Sequence, residues 1–418
     1  MRKMNIWCNS FSSGAIIMRN RRIIHYYSLI VFLCFLFWGS QKPAIEKSST
    51  DKQSVRIAGH QVLKVFNDEN SWLGGKGHLL PTVIFQDSKG AIWVGSKMYK
   101  IIERYEERIQ QWTVFGEKPA NYYNRLHYYG GAIIPEEITS IGESKDGKLW
   151  FSAGLTISAS FVSPCFVSSF DGKQWEKWEI KPSPKEIVRI GLFSGQSARL
   201  WFWKGDELMS NDGQGWSRPL KLSNEIKDPR PITSDGQLKV ENTNTLAHSQ
   251  KVRYEIFAAL QDQDGYIWLG TVSGAIRFDE RRREWKKYSQ IKVSPIDKIY
   301  QDKYGRLWFS DGWSNVEVYD IAKDSIITYN LLDHIRPAPN DEPVDLPLVL
   351  RAIYQDSQGQ MFFALNRGLL VFSEAAGKWE LFDLKDIGLP YGIENIMEDK
   401  YGRIWITASS GIAILDQL

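Results

Sequence analysis

The 418-residue chain carries 52 Lys and Arg against 49 Asp and Glu, a net charge of +3, and 43% of its residues are apolar. Arg2, Lys3, Arg19, Arg21 and Arg22 hold that excess, so the rest stands at −2 and offers no basic surplus for nucleic acid. Of the cysteines only Cys165 lies beyond residue 40, which excludes an internal disulfide framework and a cysteine-based zinc site in the main body.

In chain order, the first predicted element is a leader. Arg19–Arg22 precede an apolar run over residues 23–38, the layout of an export signal. No small-x-small cleavage site follows, because Phe37 and Trp38 stand two residues before Gly39 and Ser40. Two outcomes stay open for residues 1–40: a cleaved signal peptide, or an N-terminal membrane anchor formed by residues 23–38. Either one exports the remainder and leaves the basic side in the cytoplasm. Met18 is an alternative start that gives a leader of ordinary length. Residues 41–54 are polar and read as a linker.

Next comes a lone strand, HQVLKVFN (His60–Asn67), and after it a phrase that returns through the chain. It reads acid–x–x–Gly–x–aliphatic–aromatic. The copies run through Asp87, Gly90 and Trp93; Gly147 and Trp150; Asp262, Gly265 and Trp268; Asp302, Gly305 and Trp308; Asp356, Gly359 and Phe362; and Asp399, Gly402 and Trp405. A degenerate copy, SGQSARLWFW, keeps Leu200 and Trp201 and loses the turn. An apolar stretch precedes each turn. Stretches such as GAIRFD or GIAILD follow it, and then an aromatic stretch such as WKKY. Four short strands in each repeat of this length make a β-propeller blade. The Asp and Gly serve the hairpin turn, and the tryptophan packs between blades.

The last repeat, which ends in GIAILD, holds three strands. The lone strand His60–Asn67 supplies the fourth, with Leu63-x-x-Phe66 matching the aromatic spacing of the other outer strands. The expected fold is therefore all-β: a seven-bladed β-propeller of four-stranded blades over residues 55–418, closed by the N-terminal strand at about 60–67. Long insertions at 116–136, 221–251 and 331–346 join one blade to the next, and 154–164 joins strands two and three within a blade. Both loop types emerge on the face opposite the Asp turns, so that face is the candidate site.

The phrase, clearest in LQDQDGYIWLGTVSGAIRFD (Leu260–Asp279), resembles the two-component regulator propeller repeat and covers nearly all of residues 55–418. That resemblance implies the extracytoplasmic sensor part of a membrane histidine kinase, a class in which many members sense carbohydrates. No kinase or DNA-binding segment follows the repeats in this sequence. The expectation is a periplasmic or cell-surface propeller that works with a separate membrane sensor and touches membrane only through residues 1–40.

No catalytic motif stands out. There is no His–Glu–x–x–His pattern, no Gly–x–Ser–x–Gly elbow and no phosphate loop, so neither a metal nor a cofactor is implied. The loops of the elaborated face offer aromatic and polar candidates for a saccharide or protein ligand: Trp72, His78, Tyr122, Tyr123, Arg125, His127, Tyr128 and Trp313. The function expected is non-enzymatic binding of such a ligand. The alternative is a propeller lyase or hydrolase with its site around the axis of the same face.

Overall fold

The computed structural model describes residues 56–67, 81–96, 101–116, 127–129, 138–153, 157–158, 161–162, 166–179, 189–196, 199–226, 254–335, 347–389 and 392–416. The leader, the linker and five candidates (Trp72, His78, Tyr122, Tyr123 and Arg125) lie outside them. Among the described residues no helix is long and apolar enough to cross a membrane. The short hairpin of Ile157–Ser158 and Phe161–Val162 belongs to a unit separate from the ring.

Seven antiparallel sheets form the ring. Their innermost strands are Pro81–Gln86, Ile138–Glu143, Ile190–Ser194, Ile256–Gln261, Lys298–Gln301, Leu350–Gln355 and Ile393–Glu398, which define blades 1 to 7. Each innermost strand packs against the next, and that of blade 7 packs against that of blade 1. Three further strands run outward in blades 2 to 6, and four in blade 1. Blade 3 is the poorest of these, because its outer strand is only Leu220–Lys221.

Blade 7 has Ile404–Ala408 and Gly411–Leu415 of its own and takes His60–Asn67 as its outer strand, as expected. The register breaks between Val62 and Lys64. That break turns Leu63 outward, 50% exposed, while Phe66 is buried at 6%. The expected match of Leu63 to the tryptophans of other outer strands therefore fails, and only Phe66 fills its slot.

Each repeat tryptophan sits at the start of the second strand and packs on the following blade. Trp93 meets Phe151, Trp268 meets Phe309, and Trp405 meets Tyr105 of blade 1, all with ring centroids under 6 Å apart. Trp93, Trp268, Trp308 and Trp405 are at most 2% exposed. Each such burial contributes roughly 2–3 kcal/mol.

The turn Asp does more than turn. In Asp262, Oδ1 accepts from the backbone N–H groups of Asp264 (3.0 Å) and Tyr266 (2.8 Å), and Oδ2 accepts from Trp268 Nε1 at 2.7 Å. Asp87, Asp302 and Asp399 repeat the pattern on Trp93, Trp308 and Trp405. In blade 2, Ser144 Oγ accepts from Trp150 Nε1 instead. Blade 3 has Gly195 in that position, and Trp201 Nε1 is buried without a partner among the described residues. These differences predict a contrast. Trp268→Phe is expected to cost about 1–3 kcal/mol more than Trp201→Phe, because only the first strands a buried carboxylate. Both changes remove the same ring volume, so urea unfolding of the two variants isolates the hydrogen bond. Equal losses would refute the role given to Asp262.

The residue before the Asp links blades. Gln301 Oε1 accepts from the backbone N–H of Gln263 in blade 4, while its Nε2 donates to the carbonyl of Gly305 in its own turn. Gln355, Gln261 and Gln86 do the same for the blades before them, and Glu143 Oε2 accepts from the Ser88 N–H. Arginine follows the turn glycine in blades 5 and 7. There Arg306 forks onto Glu374 of blade 6, and Arg403 onto Glu107 of blade 1.

Candidate ligand site at the axial mouth

Five of the innermost strands break register near their start: between Pro81 and Val83, Ile138 and Ser140, Ile256 and Ala258, Leu350 and Ala352, and Ile393 and Asn395. The skipped residues are Thr82, Thr139, Phe257, Arg351 and Glu394. Asp297 holds the same place in blade 5, eleven residues before Trp308, as Phe257 is before Trp268. A bulge leaves one residue unpaired and re-aims its side chain. Because these strands surround the axis, the bulge residues form a ring at the end opposite the Asp turns.

Blades 3 to 7 carry a connected arc on that ring. The Arg189 guanidinium lies 4.0 Å over the Phe257 ring, and its Nη1 reaches past blade 4 to within 3.9 Å of Asp297 Oδ1. The Arg189 N–H donates to Glu255 Oε1 at 3.3 Å. Lys298 Nζ donates to Asp297 Oδ2 at 2.5 Å. Arg351 Nε stands 3.6 Å from Glu394 Oε2, and Ser409 Oγ donates to Glu394 Oε1 at 3.2 Å. In blades 1 and 2 the ring is neutral: Thr82 Oγ1 donates to the Ile138 carbonyl, and Thr139 Oγ1 to that of Ser152.

Charge in the arc is balanced but unevenly presented. The Arg189 side chain is 46% exposed and Glu394 only 16%. Burial opposes ionisation of Asp297, but Lys298, Arg189 and Arg351 outweigh it and hold the carboxyl below its usual range. The long Arg189–Asp297 pair, with Arg189 half exposed, contributes under about 1 kcal/mol, so a ligand can displace it at small cost.

The loop carrying Trp313 leans on this arc. Asp311 Oδ1 accepts from the Trp313 N–H at 2.8 Å, and Asp311 Oδ2 from Asn315 Nδ2 at 2.6 Å. Gly312 takes φ +79°, and a Cβ there would lie 2.8 Å from Asp297 Oδ2. Only glycine permits that approach, and it sets the loop backbone against Asp297 one residue before half-buried Trp313.

Of the other candidates, His127 and Tyr128 lie on His127–Tyr129, a fifth strand that runs parallel to Gln111–Gly116 at the outer edge of blade 1. The backbone thus places them at the rim, away from the axis. The sequence reading missed Arg189, Glu255, Asp297, Lys298, Arg351 and Glu394. Their signal is positional: all lie within two residues of the place eleven residues before a blade's repeat aromatic. Among the described residues no group of three or more His, Cys, Asp or Glu side chains could hold a metal ion.

No family model and no curated protein matches the chain. Solved structures do. The extracellular domain named for a hybrid two-component system of B. thetaiotaomicron is 15% identical, with a TM-score of 0.55 over 86% of this chain. This chain spans 42% of that domain's length. A streptogramin B lyase is 14% identical with a TM-score of 0.53, over 84% of this chain and 96% of the lyase. The virginiamycin B lyase of Staphylococcus aureus is 15% identical with a TM-score of 0.51, over 85% and 99%. At these identities the likeness is one of fold: the chain is a seven-bladed propeller of the architecture that extracellular two-component domains and streptogramin lyases both use.

Proposed function

We propose that the chain is an exported, non-enzymatic binding propeller of the sensor kind, which takes a polar ligand at the axial mouth. It would hand the bound state to a separate membrane sensor, with its own membrane contact confined to residues 1–40. A saccharide or a protein segment fits the donors and acceptors of Arg189, Arg351 and Glu394 and the ring of Trp313. The observation that carries this reading is the arc itself, in which side chains from blades 3 to 7 meet in a chain of contacts at one end of the innermost strands. Likeness to extracellular two-component domains supports the sensor assignment.

Glycan-array and pull-down measurements with the purified chain test it, and silence in both would overturn it. Arg189→Ala and Trp313→Ala are each expected to weaken binding about tenfold, or ~1.4 kcal/mol, with the melting temperature unchanged. Unaltered affinity in both would move the ligand elsewhere.

A second reading is a lyase or hydrolase, favoured by three carboxylates in the arc and by the lyase-like fold. Asp297 itself is an unsuitable general base, since a carboxyl held below its usual range is a poor proton acceptor. Mass analysis of any bound ligand after incubation separates the two, because turnover would change its mass.

A further inference from the structure

We propose that His60 is a pH-dependent latch on ring closure: as an imidazolium it ties the closing strand to blade 6 and to the chain's last strand, and deprotonation loosens that strand.

The latch fills a gap in the repeat. Blade 6 has Phe362 where the other turns have an indole donor, so Asp356 Oδ2 has no tryptophan to bind. His60 supplies the donor from the closing strand, with Nε2 at 3.1 Å from Asp356 Oδ2 and its ring centroid 5.9 Å from that of Phe362. The other ring nitrogen, Nδ1, lies 2.7 Å from the carbonyl oxygen of Asp416. A carbonyl and a carboxylate only accept, so satisfying both requires protons on both nitrogens. Both His60 and Asp356 are about 2% exposed at the side chain, and water does not substitute for a lost bond.

The surrounding groups favour the cation. Asp356 and Asp416 face the ring from blade 6 and from the end of the last strand. Asp416 also accepts from the Gln61 N–H through Oδ1 at 2.6 Å, which keeps its charge beside His60. The nearby cations point elsewhere: Arg56 Nη1 to the Gly59 carbonyl, and Lys64 Nζ over the Phe66 ring. Tyr354 of blade 6 donates to Glu398 of blade 7, not to Asp356. Burial lowers the His60 pKa, but the bond to Asp356, the Asp416 carbonyl and the two negative charges together leave it above its ordinary 6.5.

The sign follows from linkage. A base whose pKa is higher in the folded state contributes its full stabilisation below the unfolded value, here 6.5, and loses it as pH rises through the folded value. The neutral ring has one N–H for two buried acceptors, so either Asp356 or the Asp416 carbonyl is left unpaired. Among the described residues, the strand that carries His60 is the one outer strand remote in sequence from the rest of its blade, so the loss acts on closure itself.

Two measurements on the purified chain test the latch. Nitrogen NMR of the imidazole, assigned with His60→Gln, is expected to show protons on both nitrogens at about pH 6.5. Corrected for intrinsic rates, hydrogen-exchange protection of His60–Asn67 and Gly411–Leu415 is expected to fall about tenfold per pKa unit by which the folded state exceeds the unfolded, as pH rises through that interval. His60→Gln, which keeps one donor, is expected to remove the pH dependence, and Asp356→Asn to move the ring's titration to lower pH. A singly protonated ring at about pH 6.5, or a wild type and His60→Gln that lose protection in parallel, would overturn the proposal. If His60→Gln fails to fold, the wild-type titration and its shift in Asp356→Asn still decide.

Discussion

Removal of residues 56–67 is expected to abolish cooperative folding of the ring. The segment holds two of the chain's short strands, and its longer one, His60–Asn67, is the strand by which the N-terminal end completes the last blade. It pairs with Gly411–Leu415, which otherwise presents a bare apolar edge of Ile412, Ala413 and Ile414. Phe66 also crosses to blade 1, edge-on to Trp112 with centroids 5.5 Å apart, so it seals the joint between first and last blades. Losing that burial costs roughly 2–3 kcal/mol, and each ladder bond adds about 1. The total approaches the whole stability of an ordinary domain. Urea unfolding of the truncated chain is expected to show no single transition, and a peptide of residues 56–67 added in trans is expected to restore it. Gly411→Val tests the same joint by a point change. Gly411 takes φ +154°, and a Cβ there would lie 2.0 Å from the Phe66 carbonyl oxygen. A truncated chain that unfolds at the wild-type midpoint would show that the ring does not depend on this strand.

Asp399→Ala has the second largest expected effect, a loss of roughly 3–5 kcal/mol. The carboxylate is 4% exposed and accepts four bonds: from the N–H groups of Tyr401 and Arg403 at 2.9 and 3.0 Å, from Trp405 Nε1 at 2.8 Å, and from Arg403 Nε at 2.7 Å. Alanine leaves a buried indole N–H and two turn amides without acceptors. It also frees one side of Arg403, whose other side holds Glu107 of blade 1. Asp399→Asn keeps the shape but sets an amide against donors, and is expected to recover about half the loss. In a cycle with Trp405→Phe the double variant is expected to lose less than the sum of the singles, because the indole no longer needs its partner. A cost below about 1 kcal/mol for Asp399→Ala would refute the account of the turn.

The scaffold was legible because its physics repeats. Asp, Gly and Trp recur at fixed spacing in blades 1, 4, 5 and 7, since each of those hairpins uses the same acceptor, the same positive φ and the same wedge between blades. The strand at His60–Asn67 was legible because the last repeat was one strand short. What the spacing did not reveal was the Trp–Asp bond, because indole and carboxylate are separated by the turn that brings them together. The arc was illegible for the opposite reason. Its ring position holds Thr82, Thr139, Phe257, Asp297, Arg351 and Glu394, one per blade and mostly different. The fold preserves the place while the residues diverge, so no motif marks it. The tyrosine-rich stretch at 122–129 is conspicuous in sequence by contrast, and its described end is a strand on the outer edge of blade 1. In sequence His60 is simply the first residue of the strand HQVLKVFN. Its role shows once Phe362 is seen to lack the donor that Trp268 and Trp405 supply.

The glutamine bonds on the turn face give the ring a sense of rotation. At the junctions from blade 3 to 4, 4 to 5, 5 to 6 and 7 to 1, the earlier blade gives a backbone N–H and the later blade's glutamine receives it. Each of those glutamines then donates only into its own turn. The circuit is polarised like a ring of people each with a hand on the next one's shoulder. A side chain lost at Gln301 leaves an amide bare in blade 4 and none in blade 6. Damage on this face therefore travels against the direction of the chain within the ring, and at Gln86 it crosses the closure from the first blade to the last.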